Sequence, residues 1–287
     1  MRIRTALVGI GYLLPALVVY CLFLFLPFLH SVYLSFCEWD GINPARWIGL
    51  DNYRAIFERP QNRDAFVHAF TLIAFYAFLT TGLALVMVGI LGSSRIRGMT
   101  VIRTALFLPY VIAPVVTGVA WRWLLAPDGP VNSLLRLVGL DRFARAWLGD
   151  FTWALPSVGL IGTWVLLGLA LVLLIAGVQR IPIDLYEAAW IDGAGAIRAF
   201  FAVTLPGVRK EITVVLVLSV TAALKNFDLI YVTTQGGPGR ETEVPAWLVY
   251  EKAFFTGDLG TASAMGVLLT TLILALTMLI LRPWRKE

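Results

Sequence analysis

The sequence predicts an all-α membrane protein of six transmembrane helices with both termini on the cytoplasmic side. Three observations carry that expectation. Of 287 residues, 59% are apolar and only 14% charged, against roughly 45–50% and about 25% in soluble domains. The mean hydropathy is +0.81, more apolar surface than one aqueous core of this length can hide. Six stretches are each long enough to cross a hydrocarbon core about 30 Å thick at about 1.5 Å rise per residue.

The spans read as 5–29, 66–92, 104–125, 153–178, 212–233 and 262–281, together about half of the chain. Runs such as Leu166 to Ala176 are apolar on every face, which excludes the alternating pattern of a membrane β-barrel. The first span follows Arg2 and Arg4 and has no Asp, Glu, Lys or Arg from Thr5 to Cys37. That is too long for the apolar region of a cleaved signal peptide, so an uncleaved helix is expected. Pro15 and Pro27 fall inside it, and Pro27 predicts a kink or an early helix end.

Orientation follows from the loops, because cationic flanks stay on the cytoplasmic side. One set, 1–4, 93–103, 179–211 and 282–287, holds 12 Lys and Arg in 54 residues: Arg2, Arg4, Arg95, Arg97, Arg103, Arg180, Arg198, Arg209, Lys210, Arg282, Arg285 and Lys286. The other set, 30–65, 126–152 and 234–261, holds nine in 91 residues together with 12 carboxylates. The net charge of +5 is therefore a topology signal spread over helix ends, not a nucleic-acid-binding stripe.

The longest cytoplasmic loop, 179–211, carries the punctuation of a short helix. Asp184 with Glu187 three residues later forms a capping-box-like pair, and Gly193 stands where a left-handed C-terminal cap belongs. Ala188 and Ala189 leave part of that helix nearly bare. Pro206 is expected to end a second helical stretch.

Glu187-Ala188-Ala189, three residues, Gly193, nine residues, then Val203-Thr204-Leu205-Pro206 resembles the E-A-A loop of binding-protein-dependent ABC importer permeases (the MetI-like fold). The pattern is E-A-A-x-x-x-G-(nine)-I-x-L-P, with Val203 in place of Ile. The flanks resemble the carbohydrate-uptake branch: Trp47-Ile-Gly-Leu-Asp-Asn-Tyr53, Leu108-Pro-Tyr110, Trp121-Arg-Trp123, the stretch from Phe227 to Pro238, and Tyr250-Glu-Lys-Ala-Phe254. The resemblance implies one permease domain over 1–287, in a bacterial or archaeal cytoplasmic membrane, importing a sugar or related polyol by alternating access. It implies a coupling helix in which Glu187 contacts an ATPase, Ala188 and Ala189 permit close docking, and Gly193 makes the turn. Asp192, Leu205 and Pro206 complete the positions it assigns to coupling. The implied partners are a second permease subunit in a heterodimer, a cytoplasmic ATPase dimer that carries ATP–Mg, and a solute-binding protein outside.

The chain's own chemistry agrees with a passive subunit. None of its lysines, at 210, 225, 252 and 286, follows a glycine, so the Gly-Lys-Ser/Thr phosphate cradle is absent and no cofactor is expected on this chain. Two His and two Cys make no metal-ligand spacing, and no nucleophile elbow or placed His supports a hydrolase, so no catalytic residue is assigned. A secondary transporter is the alternative, but it calls for intramembrane relay groups and two related halves.

Three ionisable residues lie within spans: Arg122, Lys225 and Asp228. Each is costly in lipid and so asks for a function. Arg122 can snorkel to the outer interface or serve the pathway. Lys225 and Asp228, three apart on one helix face, read equally as pathway lining or as an interior ion pair. Asn226 and Tyr231 are candidates for the same polar path. Tyr76, Tyr110 and Trp164 are aromatic enough to stack on a sugar ring, or to pack and anchor the spans.

Overall fold

A computed structural model describes residues 12–91 and 99–282. Arg2, Arg4, Arg95, Arg97, Arg285 and Lys286 lie outside the described residues, as does the start of the first expected span. The fold is helical apart from one two-residue β-pairing, and its elements form two compact units.

The first unit comprises the described part of 1–60 together with Leu248–Thr270. Helix α1 (Tyr12–Leu34) runs through Pro27 without ending, so of the two expectations, a kink or an early end, the early end is not met. The turn before the proline widens into a π-turn at Cys21–Phe25, which accommodates a residue with no N–H to give. After it, β1 (Cys37–Glu38) pairs antiparallel with β2 (Arg46–Trp47), and α2 (Asp51–Glu58) follows. The buried Asn52 side chain donates to the carbonyls of Ser35 (2.9 Å) and Cys37 (2.8 Å), while Tyr53 and Ser35 share a 2.7 Å hydrogen bond. The Trp47–Tyr53 motif is thus a clamp on the end of α1.

The second unit holds the bundle. Helix α3 (Pro60–Ile90) contains a wide turn at Ala74–Leu79. After α3 the described chain continues with α4 (Met99–Val111), α5 (Pro114–Leu124) and the short helix α6 (Pro130–Leu137). Helix α7 (Ala154–Val178) is the most buried of the long helices and packs against α3, α4 and α10. Beyond it lie α8 (Ile183–Ile191), α9 (Ala196–Gly207), α10 (Arg209–Leu224) and α11 (Asp228–Thr233). Helix α12 (Pro245–Phe254) leads to α13 (Leu259–Leu281).

Small residues let neighbours close on α7, which matters because lipid supplies no hydrophobic drive between helices. Phe75 covers Gly159, Tyr76 covers Gly162, and the Leu106 carbonyl of α4 lies directly over Gly168. The wide turn in α3 loosens the backbone at Phe75, and its carbonyl is taken by the hydroxyls of Thr163 on α7 (3.0 Å) and Thr80 (3.2 Å). Tyr76 is fully buried in this contact, so its role here is packing.

Among the described residues, four helices are long and apolar enough to cross a membrane, or five if one bent pair counts as a single span. The expected span 104–125 is that pair: its helices meet at 103°, because Pro114 starts a new helix after Ala113 leaves helical geometry. The expected span 212–233 is also broken, with α10 ending before Lys225 and α11 beginning at Asp228. Hydropathy marks both stretches as apolar and is blind to the breaks.

Replacing Gly168 by Ala is expected to destabilise the chain by about 3 kcal/mol through overpacking. Gly266→Ala, where a Cβ meets open space, should instead stabilise its helix by about 0.5–1 kcal/mol. Urea unfolding in mixed micelles measures both.

Candidate functional site

The two candidate sites adjoin the two ends of α10, Arg209–Leu224. At the first, α7 ends and the chain leaves the bundle for α8, returning through α9 and α10. The ends of this excursion are tied together. Arg180 approaches Glu211 at 3.6 Å, and the Glu211 side chain lies over Gly177, where a Cβ would fall 2.7 Å from its Cδ. With its amide oxygen turned toward Arg103, Gln179 accepts from that guanidinium at 3.2 Å. Val208, between α9 and α10, is fully buried in an apolar cluster with Ala84, Leu174 and Val215.

Helix α8 begins two residues earlier than the sequence suggests. Its N-cap is Pro182, without a side-chain cap, so Asp184 lies inside the first turn and the expected capping box with Glu187 does not form. A carboxylate there still favours the helix N-terminus through the backbone dipole. The C-terminus matches expectation. Gly193 has φ +76°, its N–H meets the Trp190 carbonyl (3.0 Å), and the Ala194 N–H meets Ala189 (2.9 Å). Those two bonds are a Schellman cap, which needs a left-handed residue where only glycine is unstrained.

No residue of α8 is buried. Glu187, Ala188, Asp192, Gly193 and Pro206 are exposed, and Ala189 and Leu205 half-buried. Among them stand large apolar side chains in solvent: Leu185, Trp190, Ile191 at 86% exposure, and Ile197. An apolar surface bordered by Glu187 and Asp192 is the mark of a docking face. Behind it, α8 and α9 together with Val88 of α3 and Val178 of α7 border an open cavity of about 340 Å³, lined also by Tyr186, Trp190, Phe200 and Thr204. The Tyr186 and Thr204 hydroxyls meet across it at 2.9 Å. Sequence reading had assigned no role to Tyr186, Thr204, Glu211 or Gln179. Their signal was faint: Thr204 sits inside the Val203–Pro206 motif, and Glu211 is a lone acid at the foot of an apolar run.

The second site is the interrupted span. Helix α11 packs on α5, with Val232 and Leu229 pressed on Gly118. Lys225 caps α10 and is exposed, and Asp228 opens α11 and is exposed. They do not lie on one continuous helix face, and no ion pair joins them. The break between them supplies the reason. Asn226 is buried, and its Nδ2 has no hydrogen-bond partner. Tyr231, more than a third exposed, closes a ring cluster with Phe227 (5.4 Å) and Trp247 (6.1 Å). Arg122 is exposed in the last turn of α5, where a cation suits the helix dipole. Trp164 packs edge-on against Trp121 at 5.4 Å, and Tyr110 is exposed beside Phe107. Among the described residues no group of His, Cys, Asp or Glu has the arrangement of a metal site.

Comparison with known proteins adds three findings. Residues 3–282 match the family described as binding-protein-dependent transport system inner membrane component. The chain is 35% identical over 275 residues to a probable ABC transporter permease protein, YurN, of Bacillus subtilis, covering 93% of this chain and 92% of that one. It is 32% identical over 283 residues to the diacetylchitobiose uptake system permease protein NgcF of Streptomyces coelicolor, covering 94% and 80%. In fold it superposes, with TM-score 0.84 and 22% identity over 99% of this chain and 96% of the other, on a chain from a bacterial alginate ABC transporter crystallised in complex with alginate pentasaccharide-bound periplasmic protein.

Gly193→Ala places a Cβ at positive φ, which costs about 1–2 kcal/mol. Local amide exchange across 183–194 should rise about five- to thirtyfold. Gly195→Ala, at φ −72° and in open space, should leave it unchanged.

Proposed function

The chain belongs to the family of binding-protein-dependent transport system inner membrane components, and on that premise we propose that it is a permease subunit of an ATP-driven carbohydrate importer. The observation that carries this reading is α8: an unburied helix, closed by a Schellman cap, held on tied stalks at the end of the most buried span. A chain with no phosphate cradle of its own needs such a handle if its energy arrives from another protein. Helix α8 is then the coupling helix, docking on a cytoplasmic ATPase dimer that carries ATP–Mg. Glu187 and Asp192 supply charge to that contact, Ala188 and Ala189 allow close approach, Gly193 closes the helix, and Leu205 and Pro206 seat α9. The Lys and Arg distribution supports a cytoplasmic position for this loop and for both termini, in a bacterial or archaeal inner membrane.

A second, similar permease subunit completes the path, and a solute-binding protein delivers the sugar from outside. The likeness to a diacetylchitobiose permease and to the alginate transporter fold supports carbohydrate as the class. A neutral polyhydroxylated solute also suits the spans expected from the sequence, in which Arg122, Lys225 and Asp228 are the only Asp, Glu, Lys or Arg. The break at 225–227 and the bend before Pro114 resemble the discontinuous helices that line transporter pathways, where backbone leaves helical form only beside protein or a water-filled cavity. Lys225, Asn226, Asp228 and Tyr231 line that path, with Arg122 at the outer end of α5. Two arrangements alternate, biased outward by loaded binding protein and ATP and returned by hydrolysis, with α8 moving as a rigid piece.

Purification of the wild-type chain from its native membrane should recover an ATPase subunit; recovery of none would remove the basis of this reading. Glu187→Ala and Gly193→Pro should each lower uptake at least tenfold while ATP hydrolysis persists, tested in proteoliposomes with a panel of chitobiose-type, maltose-type and alginate oligosaccharides. Uptake at the wild-type rate by both variants would contradict the assignment of α8.

Lys225→Met should alter uptake several-fold without changing assembly with the ATPase, as followed by size-exclusion chromatography. Unaltered uptake would return Lys225 to a structural role.

A further inference from the structure

Within the permease reading just given, on which this inference rests, we propose that the hydroxyls of Tyr186 and Thr204 are a positioning pair that holds α8 at one angle to α9, so that a push on α8 reaches the spans instead of being lost in the connector. The connector is Gly193-Ala194-Gly195; the Schellman cap holds Gly193 and Ala194 on α8, which leaves Gly195, free of side-chain restraint, as the joint to α9. A helix hung on such a joint pivots unless something else restrains it. Among the described residues, the 2.9 Å Tyr186–Thr204 hydrogen bond is the one side-chain hydrogen bond that joins α8 to α9.

The two partners are placed for that task. Thr204 is 7% exposed and ends the wide turn Phe200–Thr204; such turns shift the register of all that follows them and recur at functional positions. Its carbonyl accepts from the Val208 N–H at 3.0 Å, and Val208 is locked in the core with residues of α3, α7 and α10. Tyr186 is half-buried, with its ring beside Trp190 at 6.5 Å. The route from docking face to bundle therefore runs from α8 through the Tyr186 ring and hydroxyl to Thr204, then down one helical turn to Val208. The cavity of about 340 Å³ beside the pair leaves α8 room to swing once the bond is lost.

Two nitroxides test this in the purified full-length complex, at Asp184→Cys in the first turn of α8 and Val214→Cys on α10, both exposed. Cys21, the exposed native thiol, is replaced by Ala. Pulsed EPR should give one narrow distance distribution with Tyr186 and Thr204 intact. Tyr186→Phe and Thr204→Val, each removing only a hydroxyl, should at least double its width. In the same complexes, sugar imported per ATP hydrolysed, measured with the panel sugar that the wild type imports, should fall about three- to tenfold, the effect of one net hydrogen bond. The double variant should match either single one, and Thr204→Ser should restore both readouts. Unchanged widths, an unchanged transport ratio, or a Thr204→Ser variant as impaired as Thr204→Val would each overturn the proposal. A wild-type preparation without an ATPase would instead overturn the permease reading and this proposal with it.

Discussion

Hydrocarbon offers the backbone no hydrogen-bonding partner, so every departure from α-helix in a spanning segment has to be repaired by protein. Among the described residues this chain departs from it in several places, and at Phe75 the repair is direct. The wide turn in α3 surrenders the Phe75 carbonyl to Thr163 and Thr80. The wide turns at Cys21–Phe25 and Phe200–Thr204 stand just ahead of Pro27 and Pro206, absorbing prolines that would otherwise break the ladder. The bend before Pro114 and the gap at 225–227 are larger, and there the chain sets α11 directly on α5.

The same constraint explains the axis of the bundle. With no hydrophobic drive between helices in lipid, close approach has to come from shape. Helix α7 supplies it with glycines at 159, 162, 168 and 177, each covered by a different neighbour: Phe75, Tyr76, the Leu106 carbonyl and Glu211. A helix packed this tightly moves as a unit. Just past its end, Arg180 approaches Glu211 of α10, so the two ends of the loop between them are held together.

Much of this was legible in the sequence. Runs of apolar residues marked the first, second, fourth and sixth spans to within a few residues, except where α1 passed Pro27 and α3 began six residues earlier. The spacing from Glu187 to Pro206 marked the loop, and Gly193 its left-handed cap. Other features were hidden. Asp184 looked like a cap because capping is read from residue type, whereas Pro182, with its fixed φ, in fact starts the helix. Lys225 and Asp228 looked like a pair because helical spacing was assumed through a stretch that is not helical. Tyr186 and Thr204 are 18 residues apart, with no periodicity that links them.

The sequence by itself determined that the chain lives in a membrane, roughly which stretches are apolar enough to cross it, and which loop carries a short helix with a left-handed cap. Transfer into lipid is a sum over residues, and a cap is a local preference, so composition and short spacings carry both. Only the tertiary structure decided where spans bend, which carbonyl meets which hydroxyl, and what ties α8 to the bundle. Those depend on pairs such as Phe75 and Thr163 or Arg180 and Glu211, whose meeting is set by the packing of whole helices and leaves no mark in the residues between them.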